Sequence, residues 1–145
     1  MNNIHILLVE DNEGDIVLTL EAFEEAKIIN KISIVRNGQL AIDFLLQKGQ
    51  YVEAVIPDLI LMDINLPRKN GHEVLHFIKS EKKLKHIPVV MLTTSSSEKD
   101  VLDAYQNYAS CFITKPVDVN DFLKVVSEIE SFWVNIVRLP TANKP

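Results

Sequence analysis

The sequence has little cysteine, little glycine and proline, and no long apolar run. Its single cysteine, Cys111, excludes a disulfide within the chain and a cysteine-rich zinc site, and we expect a reducing, cytoplasmic setting. Four glycines and six prolines among 145 residues are too few for a linker-rich chain. No apolar run approaches the roughly 18 residues that a membrane span needs, and no basic, cleavable leader is visible. We therefore expect one domain, residues 1–145, without membrane attachment.

Basic residues are also few relative to acidic ones. Fifteen lysines and arginines against 20 aspartates and glutamates give a formal net charge of −5. A nucleic-acid-binding domain normally carries a basic patch and a basic balance, and an anionic membrane surface also attracts basic segments. The charge therefore argues against both partners and is compatible with a ligand that brings cations.

Short apolar runs alternate with segments of helical periodicity along the whole chain. Asn12 can cap a first helix, a second spans Leu40–Gln47, a third starts at about His72, a fourth follows Ser97, and the last starts at Asp118 or Asn120. Five alternations of strand and helix predict an α/β fold with a parallel sheet and helices on both of its faces. The predicted strands are Ile4–Val9, Lys31–Val35, Asp58–Asp63, Pro88–Thr94 and Cys111–Thr114.

Charged and hydroxyl side chains follow four of these strands where each strand ends. In a doubly wound sheet the ligand crevice lies beyond the carboxyl ends of the strands, so we expect these side chains to converge. Three crowded carboxylates repel one another unless a cation joins them, and hard oxygen ligands suit Mg²⁺. A lysine and a hydroxyl suit a phosphoryl group, and a carboxylate can carry an aspartyl-phosphate. The pattern predicts Mg²⁺-dependent phosphoryl transfer onto Asp63; the converging residues are Glu10, Asp11, Asp63, Thr93 and Lys115.

These motifs resemble the receiver domain of two-component response regulators, in the order and spacing of that family. The resemblance extends from about Ile4 to Ile129. The matching segments are LLVEDN (Leu7–Asn12), DLILMDINLPRKNG (Asp58–Gly71), PVVMLTTS (Pro88–Ser95) and FITKP (Phe112–Pro116).

The resemblance implies a flavodoxin-like, doubly wound sheet of five parallel strands in the order 2-1-3-4-5, with five helices. It implies that Asp63 accepts a phosphoryl group from a histidine kinase. Mg²⁺, with Mn²⁺ as a substitute, would be held by Glu10, Asp11, Asp63 and the backbone carbonyl of Asn65.

The same resemblance implies that Lys115 pairs with the acyl phosphate. Thr93 would follow the phosphoryl group, and Phe112 would be the aromatic switch residue. These movements would repack the surface formed by helix four, strand five and helix five and change partner affinity. We therefore expect a stand-alone phosphoacceptor signalling protein that assists its own phosphorylation and dephosphorylation and is not a conventional enzyme.

Four features depart from the commonest family pattern; the first is Glu10, which is often aspartate in relatives and keeps the negative charge. Phe112 stands where tyrosine is frequent and cannot donate a hydroxyl hydrogen bond, and Asn70 stands where an acid is frequent. The connection 47–56 is longer than usual. None of these differences removes the phosphorylation chemistry.

The carboxyl-terminal segment extends an apolar stripe beyond a minimal receiver. The stripe continues through Trp133, Ile136 and Val137, so the last helix is predicted to be extended, with residues 130–145 as extension and tail. Exposed apolar groups usually mark an interface, and we expect a homodimer through this region; the alternative is that the tail folds back on its own domain. The segment resembles single-domain regulators that work with phytochrome histidine kinases, which implies such a kinase as partner.

Three rival interpretations remain. His72–His76 reads H-E-x-x-H, the signature of a zinc hydrolase, but helical spacing places both histidines on a solvent face with Lys79 and Lys83. A phosphatase of the haloacid-dehalogenase type needs a second aspartate where this chain has Asn65. A degenerate receiver that only docks partners would lack at least one of the acidic, hydroxyl or lysine residues, and all are present.

Overall fold

A computed structural model describes residues 4–26, 31–93 and 111–115, together with Asn120 and Lys124. The helices are α1 (Glu13–Ala26), α2 (Gly38–Leu46) and α3 (Gly71–Ser80), and a 3₁₀ turn spans Gly49–Tyr51. The predicted fourth helix and most of the last helix, including residues 130–145, lie outside the described residues. The strands are β1 (His5–Val9), β2 (Lys31–Val35), β3 (Leu59–Asp63), β4 (Val89–Thr93) and β5 (Cys111–Thr114).

The strands form one sheet in the order β2-β1-β3-β4-β5, and every described pair is parallel. Parallel strands are buried on both faces, which explains why β1 and β3 are continuous apolar runs. The predicted α/β class with a parallel sheet is confirmed. Among the described residues, no helix is long and apolar enough to span a membrane.

Alternating strand residues enter two separate hydrophobic cores, as the two-residue repeat of a strand requires. Leu7, Ile60 and Met91 belong to the core that also contains side chains of α2 and α3. Ile6, Leu61 and Val90 belong to the second core, which contains Ile16 and Phe23 of α1. Helices therefore cover both faces of the sheet, and the carboxyl ends of the strands remain as the edge where a site can form.

Polar side chains cap the first two helices. The Asn12 side chain accepts a hydrogen bond from the backbone N–H of Asp15 at 2.9 Å, as predicted. The side chain of Asn37 caps α2 by accepting from the N–H of Leu40 at 2.8 Å. The sequence had indicated a helix only from Leu40, so the helix starts earlier than expected. A side chain at Gly38 would collide with the Lys69 carbonyl, which explains the glycine.

The connection from β3 to α3 is held by a capping box and a close backbone contact. The Asn70 side chain accepts from the N–H of Glu73 at 2.9 Å, and the Glu73 carboxylate accepts from the N–H of Asn70 at 3.1 Å. Asparagine thus caps α3 through its side-chain oxygen, a role that the frequent aspartate fills equally well. Gly71 packs so closely that a Cβ atom would lie 2.5 Å from the carbonyl oxygen of Asp63. These contacts fix the start of α3 against the residue that was predicted to be phosphorylated.

Candidate functional site

The predicted acidic residues converge at the carboxyl edge of the sheet. Glu10 and Asp11 follow β1, and Asp63 is the last residue of β3, the strand beside it. Each of the three offers a carboxylate oxygen within 4.8 Å of the others. Glu10 is fully buried and Asp63 is 4% exposed, whereas Asp11 is exposed. The fold therefore brings together the three side chains predicted to bind a metal ion.

Lys115, the residue after β5, extends into this acidic group. Its ammonium nitrogen lies 2.6 Å from Oε2 of Glu10 and 3.1 Å from Oδ2 of Asp63. The lysine side chain is only 6% exposed. A buried ammonium of this kind is stable only when carboxylates compensate its charge. The fold therefore brings Lys115 into the acidic group, and its role there stays a prediction.

Asp15 is a third partner of Lys115, and the sequence analysis missed it. Its Oδ2 atom accepts a hydrogen bond from the lysine Nζ at 2.9 Å, across 100 residues of sequence. Asp15 lies in the first turn of α1, which begins beside the same edge of the sheet. The sequence signal that could have indicated this contact was the position of Asp15 in the first helical turn, four residues after Asp11. Acids in a first turn also stabilise the helix dipole, and this common reason hid the contact with Lys115.

Two backbone amides orient the carboxylates. The N–H of Asn65 donates to Oδ1 of Asp63 at 3.1 Å. The N–H of Asn12 donates to Oε1 of Glu10 at 3.2 Å. Each buried carboxylate thus has one oxygen held by a local amide and the other beside Lys115. The Asn65 carbonyl, implied by the resemblance as a metal ligand, belongs to the same loop, and its ligand role stays a prediction.

Burial and charge shift the protonation equilibria of the site. Burial and the neighbouring Asp63 carboxylate raise the pKa of Glu10, against the opposing effect of Lys115, to about 7. Burial alone would lower the pKa of Lys115, but Asp15, Glu10 and Asp63 raise it above its ordinary value. The ammonium therefore remains charged at neutral pH, and the carboxylates have more negative charge than one lysine neutralises.

The two remaining predicted site residues are described only by their backbones. Thr93 ends β4 and pairs with Thr114 of β5, and Phe112 lies in β5 beside Met91. Thr93 thus ends its strand at the same edge as Asp63. The side chains on which the predicted switching roles depend are outside the described part of the chain, so these roles stay predictions.

The H-E-x-x-H segment lies on α3 rather than at the strand edge. Two details expected from its spacing were wrong. Lys79 is partly buried and donates to the carbonyl oxygens of Lys85 and Ile87 at 3.0 and 2.7 Å, and α3 ends at Ser80, before Lys83. Within the described ranges, the group with three candidate metal ligands is the carboxylate group of Glu10, Asp11 and Asp63.

Comparison with known proteins agrees with this geometry. Residues 6–127 match the response regulator receiver domain family. The chain is 46% identical over 137 residues to the response regulator Rcp1 of Synechocystis sp., covering 94% of this chain and 93% of Rcp1. The crystal structure of the phosphorylated cyanobacterial phytochrome response regulator RcpA is 44% identical, with a TM-score of 0.79 over 92% of this chain and 95% of RcpA. The crystal structure of Mn²⁺-bound Rcp1 is 44% identical, with a TM-score of 0.77 over 92% and 96% of the two chains.

The chain therefore belongs to the response regulator receiver family of two-component signalling. Members are signalling proteins rather than conventional enzymes. Receiver domains bind Mg²⁺, and the Glu10, Asp11 and Asp63 carboxylates could hold such an ion. Crowded carboxylates with surplus negative charge, two of them buried, are the donor set that a hard divalent cation prefers, so the residues fit the ion.

Proposed function

We propose that Asp63 is the phosphoacceptor of this receiver and takes a phosphoryl group from a histidine kinase in a Mg²⁺-dependent reaction. The observation that carries the proposal is the position of its carboxylate. It lies at the end of β3, next to Glu10 and Asp11, with Lys115 Nζ 3.1 Å from its Oδ2 atom. A nucleophilic carboxylate beside fixed positive charge is what phosphoryl transfer requires.

The transfer is a displacement at phosphorus. A carboxylate oxygen of Asp63 forms the new O–P bond while the P–N bond of the phosphohistidine breaks, and the imidazole leaves with the bonding electrons. Lys115 donates to the phosphoryl oxygens as charge shifts, and the N–H of Asn65 holds the carboxylate in orientation. Glu10, Asp11, Asp63 and the Asn65 carbonyl would hold Mg²⁺, which when bound would supply positive charge to the phosphoryl oxygens. Hydrolysis of the acyl phosphate later restores the Asp63 carboxylate.

The output is a change in protein contacts. Phosphorylation adds negative charge and acceptor oxygens. In this proposal Thr93 moves toward the phosphoryl group, Phe112 turns inward, and the surface of helix four, strand five and helix five repacks. The proposed fold has five helices, the last one extended. Because a relative of 44% identity is described as a cyanobacterial phytochrome response regulator, a phytochrome-type histidine kinase is the proposed donor.

The homodimer through residues 130–145 and the neighbouring surface also remains a proposal. Sedimentation of the protein with and without phosphorylation tests it. A dimer that is lost when Trp133, Ile136 and Val137 are replaced by polar residues supports it. A monomer at micromolar concentration in both states contradicts it.

Intact-protein mass after incubation with acetyl phosphate and Mg²⁺ tests the phosphoacceptor. We expect one added phosphoryl group in the parent protein and none in Asp63→Asn, which keeps the side-chain size but has no nucleophilic carboxylate. Addition in both proteins would assign the modification to another residue. The same measurement can be made after incubation with an active histidine kinase. If a parent protein that binds Mg²⁺ takes up no phosphoryl group from either donor, the interpretation as a docking module is favoured instead.

A further inference from the structure

Lys115 contacts three acids: its ammonium donates hydrogen bonds to Asp15 and Asp63 and forms an ion pair with Glu10. A lysine ammonium has three N–H groups and accepts no hydrogen bond. Two of its partners, Glu10 and Asp63, belong to the carboxylate group that fits a divalent cation. The third, Asp15, does not belong to that group and lies 2.9 Å from Nζ. Asp15 is thus the partner of Lys115 that does not belong to the candidate cation-binding group.

The buried position of Lys115 makes this distinction important. Its side chain is 6% exposed, so water cannot compensate the ammonium charge. If Glu10 and Asp63 bind a divalent cation, their negative charge is compensated by the ion, and the electrostatic attraction that stabilises the Lys115 ammonium is weakened. A buried charge whose partner is removed is strongly destabilised. Without another acid, the lysine and the cation would compete for the same two carboxylates.

We propose that Asp15 is a positioning residue that lets Lys115 and the divalent cation share one acidic pocket. It supplies the counter-charge of the ammonium while Glu10 and Asp63 bind the ion, and it holds Nζ within reach of Asp63. Its side chain is 26% exposed, so water reaches this carboxylate, unlike the buried carboxylate of Glu10. The proposal rests on the function proposed above for its link to phosphorylation, but its effect on cation binding can be measured separately.

A double-mutant cycle read by Mg²⁺ titration calorimetry tests the proposal. Asp15→Asn is made in the parent and in Lys115→Met, where no ammonium needs a counter-charge. We expect Mg²⁺ affinity to fall about tenfold in the parent background, since one charge-assisted hydrogen bond to a buried ammonium is weakened. In the Lys115→Met background the fall should be about twofold, from the loss of distant negative charge alone. Lys115→Gln is a second background if Lys115→Met folds poorly.

Glu13→Gln is the matched control. Glu13 lies in the same first turn of α1, and its replacement removes the same charge from the same end of the helix. Its carboxylate pairs with Arg36 and is 70% exposed, away from Lys115. We expect Mg²⁺ affinity to be unchanged. An equal loss of affinity for Asp15→Asn in both backgrounds, or a loss in Glu13→Gln as large as in Asp15→Asn, would overturn the proposal.

The acetyl phosphate reaction separates this proposal from the phosphoacceptor role. At Mg²⁺ concentrations that saturate each variant, Asp15→Asn should slow phosphorylation severalfold in the parent and leave the rate unchanged in Lys115→Met. A parent that binds Mg²⁺ with the expected coupling but takes up no phosphoryl group would contradict the function of Asp63 and support the role of Asp15. If the parent is phosphorylated but neither measurement shows coupling between Asp15 and Lys115, the function of Asp63 is supported and the role of Asp15 is contradicted.

Discussion

When no cation is bound, the acidic site depends on Lys115 for its positive charge. It neutralises buried carboxylates of Glu10 and Asp63 at 2.6 and 3.1 Å. Removing one partner of a buried ion pair costs about 3–5 kcal/mol, so Lys115→Met should lower the free energy of unfolding in EDTA. The loss should lie toward the lower end, because Glu10, with its pKa raised by burial to about 7, can take up a proton.

The cation should restore much of what this variant loses. In urea unfolding with and without Mg²⁺, we expect a larger stabilisation by Mg²⁺ in Lys115→Met than in the parent, because the cation then has no competitor for the carboxylates. Lys115→Arg keeps the charge and should resemble the parent. A smaller stabilisation in Lys115→Met would mean that the lysine assists cation binding rather than competing with it.

His5 gives the molecule a pH dependence that is independent of the acidic site. Burial, with a smaller effect of Lys31, lowers the pKa of its imidazole, and Nε2 lies 2.8 Å from Oγ of Ser33. The unfolded chain therefore binds a proton at His5 more readily than the folded chain does. The stability contributed by neutral His5 is present above pH 6.5 and is lost as the pH falls below it. Glu10, with its raised pKa, acts in the opposite direction, because its contribution is lost as the pH rises through about 7.

The contribution of His5 can be isolated by comparing two proteins that share Glu10. His5→Gln keeps a polar side chain beside Ser33 but cannot titrate. Between pH 7 and pH 5, the free energy of unfolding of the parent should decrease relative to that of His5→Gln, because the contribution of Glu10 is common to both proteins. Parallel pH profiles from urea unfolding would show that the imidazole is not held neutral by the fold.

At the scale of elements, the start of α3 is fitted to the end of β3. A Cβ atom at Gly71 would lie 2.5 Å from the Asp63 carbonyl oxygen and 2.7 Å from Cα of Ile64, both backbone atoms that cannot move independently. We expect Gly71→Ala to lower the free energy of unfolding by about 1–3 kcal/mol, the usual cost of overpacking. Phosphorylation should also slow, because the strain falls on Asp63, the proposed phosphoacceptor.

A second glycine provides the control for this variant. Gly14 lies in α1, and a Cβ atom there would meet only the Asn12 side chain, at 3.3 Å. Alanine favours a helix over glycine by about 1 kcal/mol, so Gly14→Ala should be neutral or stabilising in urea unfolding. If Gly71→Ala were equally well tolerated, the contact between α3 and β3 could not be what positions Asp63.

At the scale of the whole molecule, the parallel sheet and its acidic edge were predictable from the sequence. Apolar runs that end in charged residues mark buried parallel strands, and their carboxyl ends must meet. Contacts between distant segments were not predictable in this way. The pairing of Asp15 with Lys115 depends on how the first turn of α1 lies against the loop after β5, and the inward turn of Lys79 depends on two carbonyl groups beyond α3.

The charge balance of the molecule leads to the last prediction. Surplus negative charge at the sheet edge destabilises the folded chain, and a cation that binds only the folded site stabilises it by mass action, by about 2.7 kcal/mol at 100 times its dissociation constant. The melting temperature should therefore rise with Mg²⁺ but not with NaCl of equal ionic strength. Asp11→Asn is the informative variant, because Asp11 is exposed and its replacement should leave folding intact. It should abolish most of the Mg²⁺ effect; an undiminished rise in Asp11→Asn would place the cation outside the Glu10, Asp11 and Asp63 carboxylates.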